Sequence, residues 1–383
     1  MKLKVRPDDF QVEELMRLNL SPHGPYSIYE LEKRLWNTLD ALDLIQREYH
    51  LHGLARAGLK DRYSHSVQYV SARGEGPKLI QEKNFTLRLV GRSDEPVSLA
   101  RMTGNRFGLT LRNMTQAEVA AVKRNLPVVL KHGFANYYDE QRMGSARHGE
   151  GFIAQKLILG HYNGALKLYM ATASKFDDAE TRRFKTRVKE NWGDWRTCLK
   201  QAKSEYVSAL LYLKDNPKDF EGAVRRIRGD LLELFLNAYQ SYLWNETLAL
   251  LIMSFELKTV AVPYAAGELL FFLELNSKAR DFFREREIPV ASHKTVPGNE
   301  LIERALNLAL VREGLTLRDM KLPFRLQGLF FKPYLRKGVV VPDKLKVSEP
   351  AEDELYPGTK KMTLNFTLPP GSYATILVKR LLV

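Results

Sequence analysis

The chain is poor in most features that mark metalloenzymes, redox proteins and membrane proteins. Cys198 is the only cysteine among 383 residues. That excludes an intramolecular disulfide framework and a Cys-cluster zinc site. It also argues against zinc-dependent base deaminases, which need paired cysteines. No histidines stand at a metal-ligand spacing such as His-x-x-x-His; His50 and His52 are two apart with no third ligand in view, and they read as structural or exposed. There is no Gly-rich phosphate loop, internal repeat or low-complexity segment. Apolar runs such as Leu269 to Leu273 are far too short to span a bilayer. Met1-Lys2-Leu3-Lys4 leads into charged sequence without a signal-peptide core. The expectation is a cytoplasmic protein with no metal site and no small-molecule cofactor.

What the chain has in excess is positive charge: 59 Lys and Arg against 45 Asp and Glu, a formal net charge of +14. A polyanionic partner follows, and nucleic acid fits best because Lys and Arg release counterions from phosphates. An apolar fraction of 44% supports a sizeable core. The length suits two domains, or one large domain with an insertion.

One carboxylate stands out. Gly58-Leu59-Lys60-Asp61-Arg62 places Asp61 between two cations, just before a run of strand character in which Val67 and Tyr69 alternate with Ser66 and Gln68. Asp61 is expected on the loop feeding that strand, held ionised by Lys60 and Arg62. An exposed ion pair in a basic turn would give the same pattern and contribute little.

Upstream, Lys4-Val5-Arg6-Pro7-Asp8-Asp9-Phe10-Gln11-Val12-Glu13-Glu14 alternates as an edge strand would, with Pro7 at its entrance. Tyr26 to Leu31 reads as strand, and Leu39 to Tyr49 as a short helix capped by Thr38. Phe85 to Leu89 and Phe107 to Leu111 are two more half-buried strands. Thr115-x-x-Glu118 is a capping box for a helix that Pro127 should end or kink. Asn136-Tyr137-Tyr138-Asp139-Glu140-Gln141-Arg142-Met143-Gly144 combines an amide, two aromatics and an arginine, which suits an unstacked base. Residue types alone equally fit an ordinary interface between elements.

Beyond Gly160 the chain reads as helical, with a basic, aromatic stretch from Arg182 to Trp195. The strongest helix begins at Asp230, with Leu231, Leu234, Phe235, Ala238, Tyr239 and Tyr242 on one broad face; Asn237 and Gln240 are candidates for polar contacts at a cleft. Met362 to Leu368 is a strand, turned by Pro369-Pro370-Gly371-Ser372 into a terminal helix from Tyr373 to Leu382.

Four of these segments, in order, resemble the TruD family of tRNA pseudouridine synthases: the opening Lys4 to Glu14, Gly58-Leu59-Lys60-Asp61-Arg62, Asn136 to Gly144, and Leu368 to Thr375. The run Asn237 to Asn245 resembles a helix found across the family. The sequence departs from the third motif where Tyr138 and Met143 replace Phe and Asp139 replaces Gly; Tyr138 keeps a stacking ring but adds a hydroxyl that needs a partner. The resemblance implies that Asp61 is catalytic, and that Lys4 lies near it. Lys60 joins the substrate-binding residues. It implies that Phe10 and Tyr373 contact the nucleotide, that Asn136 orients Asp61, and that Tyr138 lies near the uracil. It further implies an α/β (α+β) pseudouridine synthase fold. A largely antiparallel catalytic domain over 1–158 and 328–383 would be interrupted by a mainly helical TRUD insertion over 159–327, with helix 230–253 packing back on the catalytic core.

The implied partner is tRNA, bound by a monomer, and the implied target is uridine 13 of the D-arm. Breaking and remaking a glycosidic bond needs no redox group or donor. The carboxylate can attack the sugar or stabilise its developing charge, as in glycosidases, or remove a sugar proton to form a glycal. The aromatics would hold the unstacked uridine. A non-catalytic RNA-binding or RNA-folding protein is the alternative. It would have little use for a carboxylate facing a phosphate-lined groove.

Overall fold

A computed structural model describes residues 1–143, 151–174, 177–200, 202–324 and 328–383, with the backbone alone at 146–147. Gly144 of the Asn136 motif and Gln327, at the expected end of the insertion, lie outside the described residues. The chain forms two compact units, Met1–Phe134 with Val340–Val383, and Ala135–Val339. The expected insertion over 159–327 falls inside the second unit.

The first unit holds one ten-stranded sheet. Its N-terminal strands are β1 (Phe10–Met16), β2 (Tyr26–Arg34), β3 (His52–Arg56), β4 (His65–Arg73), β5 (Leu79–Gln81), β6 (Phe85–Ser93) and β7 (Met102–Met114). The order runs β5-β6-β2-β4-β1-β7, then Lys360–Leu368 and Asp343–Val347; β3 joins β4, and Ala351–Glu352 joins Lys360–Leu368. Pairing is antiparallel throughout except between β1 and β4, where Gln11 faces His65 in parallel register.

β1 is therefore an interior strand, paired with β4 on one side and β7 on the other, and not the edge strand its alternation suggests. Alternation reports which faces are wet and dry, and an antiparallel sheet open on one face produces it in every strand. Pro7 opens a 3-10 turn, Pro7–Asp9, ahead of β1.

One face of the sheet is dry. Leu31, Val70 and Leu87 pack there with Ala41, Leu42 and Ile45 of helix α1 (Thr38–Tyr49). Asn37 caps α1, its side-chain oxygen accepting the Leu39 N–H. Thr38, the expected cap, is instead fully buried and turned into the protein. At the far end Leu109 and Leu111 face Leu364 and Met362, all buried. Helix α2 (Gln116–His132) starts with the expected capping box at Thr115 and Glu118. It continues through Pro127, which sits on the exposed side, and the helix persists to His132 despite the hydrogen bond that proline cannot donate. The other face of the sheet carries Gln11, Glu13, Val67, Arg106 and Asn365 along a shallow groove floored by Gly108.

The second unit is mainly helical. Its core helix, Gly229–Ser254, buries Leu236, Tyr239, Leu243, Trp244 and Leu248. Gln240 is no cleft contact: it is buried and donates to the carbonyls of Ala291 and Lys332. Among its other larger elements are the helices Tyr162–Met170, Ala179–Glu190, Ser204–Asp215, Ser277–Glu285 and Glu300–Arg312 and a hairpin of Thr259–Tyr264 with Gly267–Phe272. Among the described residues no helix is long and apolar enough to cross a membrane.

Candidate active site

The loop between β3 and β4, from Gly58 to Ser64, is fixed from beneath by side chains that sequence patterning places elsewhere. Ser66 and Gln68 point to the dry face and are fully buried, whereas Val67 and Tyr69 are the partly exposed ones. The alternation of β4 is as expected, with its faces reversed. The reason is visible in the hydrogen bonds. Gln68 donates to the Gly58 carbonyl at 3.3 Å and accepts from the Thr38 hydroxyl at 2.9 Å, and that hydroxyl accepts the Lys60 N–H at 3.2 Å. Ser64 donates to the Asp61 carbonyl at 2.7 Å. A buried amide and hydroxyl are tolerable because each is satisfied by loop backbone.

Held this way, the loop turns the Asp61 side chain outward, about one-third exposed, with Oδ2 2.5 Å from the Lys4 ammonium. Lys4 in turn lies 4.2 Å from the centre of the Phe10 ring, a cation–π contact. Lys4 occupies left-handed backbone space at φ +57°, a conformation a lysine rarely adopts. Such strain is concentrated at functional sites, where surrounding contacts over-determine it. One partner of the Asp61 carboxylate is thus Lys4, 57 residues away. The flanking cations turn elsewhere. Arg62 lies over the exposed Tyr63 ring. Lys60 reaches down to the sheet, 2.9 Å from Glu14 Oε2 and donating to Asn105 Oδ1 at 2.7 Å. Neighbouring residues in a loop project in different directions, so the contacts of Lys60 and Arg62 do not follow from their adjacency to Asp61.

Phe10 packs edge-to-face on Phe107, 6.3 Å between ring centres. Tyr373 is half-buried at the N-terminus of the helix Ala374–Leu382. It follows the strand Lys360–Leu368, whose last residue pairs with Asn105, the residue that receives Lys60. The structure thus brings Lys4 into contact with both Phe10 and Asp61 and places Lys60 on the Asp61 loop.

Asn136 and Tyr138 belong to the second unit. Asn136 is buried and donates to the Lys337 carbonyl at 3.0 Å, while its side-chain oxygen has no hydrogen-bond partner among the described residues. Tyr137 is core, fully buried with its hydroxyl on the Leu270 carbonyl. Tyr138 is held by Asn245, which accepts its N–H at 2.8 Å and donates to its carbonyl at 2.9 Å. Its ring lies between Trp244, edge-to-face, and the Arg336 guanidinium 4.1 Å from the ring centre. The added hydroxyl has its partner: Tyr334 Oη, 2.7 Å away. Tyr138→Phe should therefore lose one hydrogen bond, about 1 kcal/mol of stability, and keep activity within about threefold of wild type in a steady-state assay. A larger loss of turnover without unfolding would give the hydroxyl a role in the reaction.

Sequence reasoning missed Lys33, Thr38, Gln68, Glu14 and Asn105 as parts of this site. Lys33 carried a usable signal, standing two residues beyond Leu31 on the dry period of β2. The others have none, because their partners are distant in sequence.

The chain matches the family model for "tRNA pseudouridine synthase D (TruD)" over residues 1–381. The chain belongs to the TruD family. A Methanocaldococcus jannaschii relative assigned as tRNA pseudouridine synthase D 2 is 32% identical, covering 99% of this chain and 91% of that protein. The Aquifex aeolicus tRNA pseudouridine synthase D is 31% identical, covering 100% and 98%. A Methanosarcina mazei crystal structure assigned as TruD superposes with a TM-score of 0.71 at 25% identity, covering 99% of this chain and 93% of the other. Membership of the TruD family makes this protein an isomerase of the pseudouridine synthase class.

Proposed function

We propose that this cytoplasmic, monomeric TruD enzyme converts uridine 13 of the tRNA D-arm to pseudouridine, with Asp61 acting at the ribose. The observation that carries the reading is the Asp61 carboxylate, turned outward on a loop fixed from beneath and paired with Lys4 over Phe10. In the reaction the bond from C1′ to uracil N1 breaks, the base rotates, and C1′ bonds to C5. C5 gives up its hydrogen and N1 gains one, so no oxidant, reductant or group donor is consumed. Asp61 either attacks C1′ or removes the C2′ proton to give a glycal; both routes use a carboxylate exposed to the ribose. We assign substrate contact to Lys4, Phe10, Lys60, Asn136, Tyr138 and Tyr373 by their motif positions. In the same reading the catalytic domain comprises 1–158 and 328–383, interrupted by the TRUD insertion over 159–327.

The side-chain oxygen of buried Asn136, without a partner among the described residues, supports its assignment, since a buried acceptor without a partner is costly unless a ligand supplies the donor. The net charge of +14 supports a polyanionic substrate. Affinity for tRNA should fall at least about tenfold between roughly 50 and 200 mM monovalent salt, measured by filter binding. Turnover should persist in a chelator while the tRNA is shown to remain folded. Loss of activity under those conditions would contradict the metal-independent chemistry proposed.

A further inference from the structure

We propose that Lys33 is a positioning residue for Asp61: its ammonium fixes the backbone from which the reacting carboxylate departs. The inference rests on the assignment of Asp61 as catalytic and extends it to a residue that cannot touch RNA. Lys33 lies on the dry face of β2 and is fully buried. A lysine there is costly unless its charge and all three N–H groups are met. They are met by three carbonyls, those of Trp36 at 2.8 Å, Lys60 at 3.3 Å and Asp61 at 2.9 Å. Two of the three belong to consecutive residues of the catalytic loop, and the third to the turn between β2 and α1. An apolar residue would fill the same volume more cheaply. What it could not do is tie Lys60 and Asp61 to the end of β2.

The surroundings leave the ammonium little competition. Across the sheet Lys33 pairs with Ser66 on β4 and Phe85 on β6, and Thr38 opens α1; none of them titrates near neutrality. The charged groups facing it are Asp61 and Lys60 on the loop, with Lys4 beyond Asp61. Burial pushes the Lys33 ammonium down from its ordinary 10.5 to about 8, opposed by Asp61 and reinforced by Lys60. Neutral Lys33 has two N–H groups and a lone pair for three carbonyls, so the loop loosens as pH rises through about 8.

The sign of the stability effect is opposite. The unfolded chain holds the Lys33 proton up to about 10.5 and the folded chain releases it near 8, so folding stability rises with pH across that interval. A positioning residue therefore gives activity that falls while stability rises. A merely structural lysine gives the rise alone.

The test uses the full-length protein, with single-turnover rate, tRNA affinity and thermal midpoint measured on the same samples. Lys33→Met should cut the single-turnover rate about a hundredfold or more, with tRNA affinity within about threefold of wild type. Lys33→Arg stays charged over the whole range and should lose the fall near pH 8; a limb caused by Lys4 would survive in that variant. If Lys33→Met does not fold, Thr38→Val loosens the same loop from its other support and should slow the rate about tenfold at unchanged affinity. A folded Lys33→Met with a rate within about threefold of wild type would overturn the proposal. So would an unaffected Thr38→Val, or a Lys33→Arg profile that keeps the wild-type limb. Asp61→Asn is the control: if that variant turns over, the catalytic assignment of Asp61 has failed; if it is inactive while Lys33→Met is not, only the positioning role has.

Discussion

Asp61→Asn should fold, bind tRNA with nearly wild-type affinity, and release tritium from uridine-labelled tRNA at least about a thousandfold more slowly than wild type, a loss of about 4 kcal/mol of transition-state stabilisation. The substitution is nearly isosteric and spares the loop. Lys33 and Ser64 hold the main-chain carbonyl of Asp61, which asparagine retains. What disappears is the negative charge opposite Lys4 and, with it, both the nucleophile and the base that the two routes require. Reduced binding in step with reduced turnover would instead point to a residue that only helps to hold RNA.

The second large effect is on stability. Lys60 and Glu14 form an ion pair in which the lysine side chain is 8% exposed and the glutamate not at all. Removing one member leaves the other charged in a dry site, at a cost of about 3–5 kcal/mol. Lys60→Met should show that loss in urea denaturation, and Lys60→Met with Glu14→Met should recover much of it, because two apolar chains replace two charges. A single-variant loss below about 1 kcal/mol would mean the pair is not buried as described. The double variant also separates the two roles of Lys60. If its ammonium contributes to tRNA binding as we propose, affinity stays low after stability has returned.

Six of the sheet strands, the capping box of α2 and the long helix were readable because each depends on local periodicity or a local hydrogen bond; the short strands His52–Arg56, Leu79–Gln81, Asp343–Val347 and Ala351–Glu352 were not. Phe107, Leu109 and Leu111 alternate in the chain and are buried in the structure. Neighbour relations were not readable. β1 has the same pattern whether it lies at an edge or between β4 and β7. On β4 the rule that apolar residues point inward failed at Ser66 and Gln68, where the demands of the loop backbone outweigh side-chain polarity. Asp61 was found through its motif, and the same resemblance put Lys4 beside it, as the ion pair between them bears out; that Lys60 reaches down to Glu14 and Arg62 over Tyr63 was not legible. The strained backbone of Lys4, the hydroxyl of Tyr334 that meets Tyr138 and the braces beneath the loop all rest on contacts between distant residues, which no local pattern announces.

Position-resolved mapping of pseudouridine tests the central claim most directly. Unmodified tRNA carrying a uridine at position 13 is incubated with the purified wild-type protein or with Asp61→Asn, and each uridine is then scored for pseudouridine by mass spectrometry of nuclease fragments. The account predicts stoichiometric conversion at position 13 with wild type, none there with Asp61→Asn, and no conversion elsewhere in either. Conversion at another uridine would contradict the proposed target, and conversion at position 13 by Asp61→Asn would contradict the proposed chemistry.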